Sequence, residues 1–164
     1  MTDVITKILK FVSFILVIIM LLLCYVQLPD SIAVTHNEIG RPTGFMDKQT
    51  FFYVGVAVIV GLYVLFGLLK STLVKTNFSN LNPKSLWAQK PEQLKYLLGG
   101  WSDVFLTVIN IYLLFTLLAI KETNGEASRN LFRNYDWFLI VGAIALIILI
   151  FFVPLRLLFT DPKE

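Results

Sequence analysis

Residues 28–48 read LPDSIAVTHNEIGRPTGFMDK and form the only long polar stretch between the first two hydrophobic segments of the chain. This stretch contains His36, the single histidine of the sequence. Residues 31–35 have the alternating, β-branched character of a strand, and residues 40–44 are rich in the glycine and proline of turns. We therefore predict a strand, a turn and a return of the chain to the next hydrophobic segment.

The composition is that of a membrane protein. Hydrophobic residues make up 57% of the 164 residues and charged residues 15%, whereas a typical soluble domain is about 25% charged. A soluble fold of this size could not bury so much apolar surface, so we expect a lipid bilayer to surround it. The net charge of +3 is too small and too dispersed for nucleic-acid binding. A single cysteine, Cys24, excludes a disulfide framework, and we expect no metal or cofactor.

Four segments are apolar enough to cross a bilayer as helices, which takes about 20 residues at about 1.5 Å per residue. They cover residues 11–28, 51–69, 104–120 and 137–159. We expect the first segment to remain an uncleaved span, because no small-x-small cleavage site follows it. The predicted fold class is an all-α membrane protein, with four transmembrane helices in one domain of residues 1–164.

The positively charged residues favour one orientation of these spans. Nine of the 14 lysines and arginines lie near the two ends and in the middle loop: Lys7, Lys10, Lys70, Lys75, Lys84, Lys90, Lys95, Arg156 and Lys163. The other five lie in the two remaining loops: Arg41, Lys48, Lys121, Arg129 and Arg133. We predict that both termini and the middle loop are cytoplasmic, and that the strand and turn of residues 28–48 face outward.

The middle loop contains a helical pattern of its own. Pro91 suits the first position of a helix, and Leu94, Leu97 and Trp101 repeat at helical spacing on one apolar face. We predict a short interfacial helix that turns at Gly99–Gly100 into the third span. Its apolar face is predicted to rest on the membrane or, as the alternative, to dock a partner.

The third span carries a polar stripe. Asp103, Thr107 and Asn110 are spaced i, i+4, i+7 and so share one side of a helix. An amide near the middle of a membrane requires a partner, and a hydrogen bond to a neighbouring helix is the usual solution. A proton or ion path is the alternative, but such paths need ionisable groups deep in the membrane. Asp103 is the only one here, and it lies at the edge of the span.

Two groups of residues resemble a known family. The first combines Pro29-Asp30-x-Ile32 with Asn37-x-x-Gly40-x-Pro42-x-Gly44-x-x-x-Lys48, and the second combines Asn82-Pro83-Lys84-x-x-Trp87 with Pro91-Glu92. Together they resemble motifs of SdpI-type toxin-immunity proteins and of short bacterial membrane proteins, over roughly residues 28–101. The resemblance implies a bacterial inner-membrane protein that acts in immunity or signalling. In this alignment Thr35, and not His36, falls at the usual histidine of the family.

The sequence offers little for catalysis. His36, Asn37, Glu38, Arg41 and Asp47 form the only candidate cluster, and no nucleophile motif, phosphate-binding loop or zinc-binding pattern accompanies them. We therefore expect a non-enzymatic protein that binds other membrane proteins, as an accessory subunit or as an SdpI-like immunity or signalling protein. Transport of an ion or small molecule, or pH sensing, is the alternative.

The residues that we assign to partner binding lie in the outward loop and on the predicted interfacial helix. They are His36, Asn37, Arg41, Lys48, Leu94, Leu97 and Trp101.

Overall fold

A computed structural model of the chain describes residues 2–37, 41–76, 86–125 and 136–162. They form α1 (Thr2–Gln27), β1 (Ser31–His36), β2 (Pro42–Asp47), α2 (Lys48–Lys75), α3 (Leu86–Gln89), α4 (Pro91–Asn124) and α5 (Asp136–Phe159). Glu38, Gly40 and residues 82–84, which the sequence analysis singled out, lie outside the described ranges.

Four helices in the described part of the chain are long and apolar enough to cross a membrane: α1, α2, α4 and α5. Their most apolar windows have mean hydropathies of 2.7, 2.5, 2.1 and 2.7. The predicted spans fall within these helices, apart from Leu28, which follows α1 directly. Four long apolar helices are therefore confirmed, and a small two-stranded sheet lies between the first two of them.

Helices α1, α2 and α4 form a three-helix core. Val17, Leu21 and Cys24 of α1 are almost fully buried and pack in one cluster with Ile59 of α2 and Leu117 of α4. Burial on this scale contributes roughly 1.5–3 kcal/mol per large side chain in soluble proteins. In a bilayer the gain comes instead from tight packing, because lipid is as apolar as leucine.

Helix α5 packs against α4, and much of its remaining surface is exposed. The ring of Phe138 stacks on that of Tyr112, with 5.1 Å between the ring centroids. Gly142 permits this approach, because a Cβ at that position would overlap the Tyr112 ring. Only 6% of the apolar window of α5 is buried within the chain. The rest of this helix is suited to contact lipid or the helices of another protein.

Strands β1 and β2 form an antiparallel hairpin between α1 and α2. Ser31 pairs with Asp47 at its base and His36 with Pro42 near its tip. Asp47 also begins α2, since its carboxylate accepts hydrogen bonds from the backbone N–H groups of Gln49 and Thr50. The strand predicted for residues 31–35 is present as β1, and the chain returns directly to α2 as predicted. The turn predicted at residues 40–44 is wrong for residues 42–44, because they pair with β1 as part of β2, and Gly40 lies outside the described residues.

The segment before the third span differs from the prediction. Helix α4 continues without interruption through Gly99–Gly100, so Leu94 and Trp101 belong to the same helix as the span. The prediction of a separate interfacial helix that turns at these glycines is wrong. Leu94 and Leu98 are buried in a cluster with Trp87 and Val153 of α5, and this packing keeps the segment helical despite the two glycines.

The three-helix core has two distinct ends. At the hairpin end, the hairpin joins the last residue of α1 to the first of α2 and contacts the last residue of α4, Asn124. At the opposite end, Asp103 of α4 pairs with Lys10 of α1 and Lys70 of α2. Asp103 and Asn124 are about 32 Å apart along the helix at about 1.5 Å per residue. That distance is close to the roughly 30 Å of a hydrocarbon core.

Candidate functional site

A charged cluster of Lys10, Lys70 and Asp103 lies where α1, α2 and α4 meet. Asp103 is 3% exposed. Its Oδ1 accepts a hydrogen bond of 2.7 Å from Lys10 Nζ, and its Oδ2 accepts one of 2.6 Å from Lys70 Nζ. The Lys10 and Lys70 side chains keep part of their surface exposed while they hold the buried carboxylate. The cluster therefore ties three helices together and carries one excess positive charge.

A second polar contact lies two turns further along α4. Asn110 is 1% exposed, and its Nδ2 donates to Ser13 Oγ at 3.1 Å and to Tyr63 OH at 3.0 Å. Ser13 and Tyr63 belong to α1 and α2, so this amide again joins the three core helices. Thr107, the third member of the predicted stripe, instead donates to the carbonyl of Asp103 in its own helix. All three polar side chains of the stripe therefore form hydrogen bonds within the protein.

The hairpin is fixed to the end of α4 by one side chain. The Ala33 N–H donates to Asn124 Oδ1 at 2.7 Å, and Asn124 Nδ2 donates to the Ala33 carbonyl at 3.0 Å. Asn124 therefore bonds β1 through both of its polar atoms. Ile32, next to Ala33, is fully buried in the core, and Leu28 is almost fully buried there. These contacts fix the base of the hairpin on the three-helix core.

Two of the motif residues close the hairpin at its base. The Lys48 N–H donates to the Asp30 carbonyl at 3.0 Å, and Lys48 Nζ lies 3.4 Å from Asp30 Oδ1. The Asp30 carboxylate is fully exposed, so this ion pair adds little stability. Lys48, which the sequence suggested for partner binding, is thus engaged within the hairpin.

Other motif residues shape the tip. The Asn37 N–H donates to the Arg41 carbonyl at 2.9 Å, and the Arg41 N–H donates to Asn37 Oδ1 at 2.8 Å. The strand register shifts around Thr35, and a Cβ on Gly44 would overlap Thr35 Oγ1. These motif residues therefore have a structural role: they form and close a hairpin.

No family model, curated protein or solved structure matches this chain. Its function therefore has to be argued from the geometry of its own residues.

The tip of the hairpin, which we define as His36, Asn37 and Arg41, is exposed. His36 lies at the end of β1 opposite Pro42, with its side chain exposed. In the part of the chain that the structure describes, no three His, Cys, Asp or Glu side chains come together as metal ligands. The described residues of the tip therefore present polar side chains on an ordered base.

The remaining predicted binding residues face the interior of the chain. Leu94 is 5% exposed, and Leu97 and Trp101 pack against the cluster that it forms with α5. The Trp101 Nε1–H donates to the Leu149 carbonyl at 2.7 Å. This apolar face is thus partly covered by α5 of the same chain.

The partners of Asp103 and Asn110 were not predicted from the sequence. Lys10 and Lys70 sit near the predicted cytoplasmic ends of their spans, and Asp103 sits at the cytoplasmic start of the third. The predicted topology places all three residues at the same level of the membrane, and this would have been enough to predict that they pair. Nothing comparable pointed to Ser13 or Tyr63, because a hydroxyl in an apolar segment does not indicate which helix it faces.

Proposed function

We propose that this chain is a non-enzymatic bacterial inner-membrane protein that binds a protein partner through the hairpin tip. The observation that carries the proposal is the contrast between the two ends of the hairpin. Its base is fixed by the paired Ala33–Asn124 bonds and by buried Ile32. Its tip exposes an imidazole, an amide and a guanidinium.

Such an arrangement favours binding. A loop that is ordered before it meets its partner loses less conformational entropy on association than a free loop does. Arginine is also enriched among the residues that dominate binding energy at protein interfaces. The tip of the hairpin is a small surface, so a stable complex would need further contacts. The exposed apolar faces of α2 and α5 are available for these.

The proposed orientation puts the tip outside the cytoplasm. The excess of lysine and arginine in the predicted cytoplasmic loops supports it. The charged cluster of Lys10, Lys70 and Asp103 lies at the opposite end of the core from the hairpin, which agrees with this arrangement. A partner would then be a toxin that reaches the outer face of the membrane or the outer part of a neighbouring subunit.

Site-specific photo-crosslinking in living cells tests the proposal. A photoreactive amino acid at Arg41 should give a discrete protein adduct. The same group at Phe11, which is 62% exposed on the apolar surface of α1, serves as the matched control for random collisions in the membrane. An adduct from Arg41 alone would support binding at the tip. Equal adducts from both positions, or none from Arg41, would contradict it.

Immunity and subunit roles make different predictions. An immunity protein expressed alone should protect a toxin-sensitive host, and Arg41→Ala or His36→Ala should abolish that protection while the protein stays in the membrane. An accessory subunit should give no protection but should bring a stoichiometric partner through a C-terminal tag in mild detergent. A protein that neither protects nor copurifies with a partner would count against both roles.

A second candidate, transport of an ion or small molecule, is favoured by the polar side chains inside the three-helix core. Asp103, Thr107 and Asn110 follow one another along α4. Transport predicts that Asn110→Leu abolishes flux into reconstituted vesicles and leaves folding intact. If Asn110 only joins helices, the same variant should lower thermal stability, and the wild-type protein should show no flux above empty vesicles.

A further inference from the structure

A groove lies beside the charged end of the core, between the first half of α4 and the last half of α5. Its volume is about 920 Å³, which is within the range of small-molecule sites in proteins. Its walls are largely aromatic and aliphatic, and they include Trp87, Trp101, Leu149 and Phe152. The two tryptophan N–H groups donate to the Thr160 and Leu149 carbonyls, which fixes the walls.

The groove contains a cation whose buried nitrogen has no partner. Arg156 lines it, and its Nε is buried without a hydrogen-bond acceptor among the described residues. Its guanidinium lies over the Phe152 ring, with Cζ 5.9 Å from the ring centroid. Neither of the acidic residues that line the groove, Glu92 and Asp161, forms an ion pair with Arg156. The buried Nε is not open to the groove, so a phosphate oxygen would bind the terminal amino groups of the guanidinium, which has no carboxylate partner among these residues.

The two acidic residues impose a further requirement on the ligand. The Glu92 carboxylate is 87% exposed and lies 3.5 Å from Lys95 Nζ, and Asp161 is exposed just beyond the end of α5. Both would repel a ligand whose head group is purely anionic. A head group with a phosphate followed by an ammonium would satisfy Arg156 and these carboxylates together.

The position of the groove fits a lipid. It lies at the charged end of the core, where α5 ends, and tryptophan and tyrosine are typical of the membrane–water interface. Trp87, Tyr96 and Trp101 all line it. Acyl chains could run along the apolar walls towards the middle of the bilayer while the head group stays at the level of Arg156.

We propose that this groove is a specific binding site for a phospholipid with an ethanolamine-type head group, with the phosphate on Arg156 and the ammonium facing Asp161 and Glu92. The groove does not include the hairpin tip. Lipid binding in the groove and partner binding at the tip are therefore separate proposals, and a test of one does not decide the other. The lipid site assigns a role to Arg156 that membrane anchoring alone would not require.

Tryptophan fluorescence can test the site, because Trp87 and Trp101 line it. The third tryptophan, Trp137, lies at the other end of α5 and is replaced by phenylalanine in all samples. The protein is reconstituted in phosphatidylcholine vesicles that contain increasing amounts of phosphatidylethanolamine with brominated chains, which quench nearby indoles. Brominated phosphatidylglycerol provides the comparison with an anionic head group. Protection of Cys24 from a thiol-reactive dye reports correct folding in every sample.

The site predicts saturable quenching by phosphatidylethanolamine at a low mole fraction, and weaker quenching by phosphatidylglycerol. Arg156→Gln should weaken the apparent affinity about tenfold, because a charge-assisted hydrogen bond is lost. Lys75→Gln removes the same charge outside the groove and should have no effect. Asp161→Asn, at an exposed position, should reduce the preference for phosphatidylethanolamine even if Arg156→Gln fails to fold. Quenching that only follows bulk mole fraction, or a preference for phosphatidylglycerol, would overturn the proposal.

Discussion

Replacing Asp103 by leucine should destabilise the three-helix core strongly. The substitution removes the carboxylate that Lys10 and Lys70 both contact and leaves two ammonium groups without their acceptor. Breaking a buried ion pair costs roughly 3–5 kcal/mol, and each charge-assisted hydrogen bond contributes roughly 1.5–3 kcal/mol.

The expected cost lies at the lower end of that range. The Lys10 and Lys70 side chains are 27% and 35% exposed, so in the variant they can turn towards water and recover part of their solvation. We therefore expect a loss of about 3 kcal/mol, which corresponds to a fall of roughly 6–12 °C in the thermal midpoint for a chain of this size.

Cys24 provides the assay. It is the only cysteine of the chain, it is fully buried in the core, and its Sγ contacts the Leu117 carbonyl of α4. A thiol-reactive fluorescent dye should react with it only when α1 separates from α4. Heating the protein in mild detergent with this dye therefore records unfolding of the three-helix core, whose opposite end the Asp103 cluster ties together.

Two further variants make the reasoning refutable. Combining Lys10→Met and Lys70→Met with Asp103→Leu should restore most of the lost stability, because no unpaired charge remains. Glu92→Gln removes an exposed carboxylate from the same helix and should change stability by less than about 0.5 kcal/mol. An Asp103→Leu midpoint equal to the wild type, or a triple variant as unstable as the single one, would refute this account of the charged cluster.

Two other predictions concern the hairpin and α5. Asn124→Leu should leave the Ala33 N–H without its acceptor and raise hydrogen exchange in β1 by roughly tenfold or more; unchanged exchange would show that other contacts hold the hairpin. Gly142→Ala should cost roughly 1–3 kcal/mol through overlap with Tyr112. Gly61→Ala meets nothing within 4 Å and should be neutral or stabilising by up to about 1 kcal/mol; equal midpoints for the two variants in the Cys24 assay would contradict the packing argument.

The helices and the first strand could be predicted because each follows from local pattern. Twenty or so consecutive apolar residues indicate a membrane-spanning helix whatever surrounds them. The alternating β-branched residues 31–35 similarly indicate a strand. The glycines and proline of residues 40–44 suggested a turn, but residues 42–44 pair with β1, and local composition does not show that pairing. The prediction failed at Gly99–Gly100, where two glycines suggested a bend. There the packing of Leu98 against α5 outweighs a cost of about 1 kcal/mol per glycine.

The candidate sites were harder to predict because they depend on contacts between distant parts of the chain. Lys10 and Asp103 are 93 residues apart in the sequence, and no local pattern pairs them. The spacing of Leu94 and Trp101 correctly predicted an apolar helix face. Periodicity does not show which element packs against such a face, and here that element is α5. In the sequence, Arg156 is one basic residue near the end of a span. Its place in the groove depends on residues of α3 and α4 that are distant in the sequence.

The most direct test of the whole arrangement is the sidedness of the hairpin. In a Cys24→Ser background, Arg41→Cys would place a thiol at the hairpin tip and Asp161→Cys would place one beyond α5. Intact cells are treated with a membrane-impermeant maleimide, and a parallel sample is permeabilised first. We expect the thiol at position 41 to react in intact cells and the thiol at position 161 to react only after permeabilisation. Reaction of both in intact cells, or of position 161 alone, would contradict an outward hairpin.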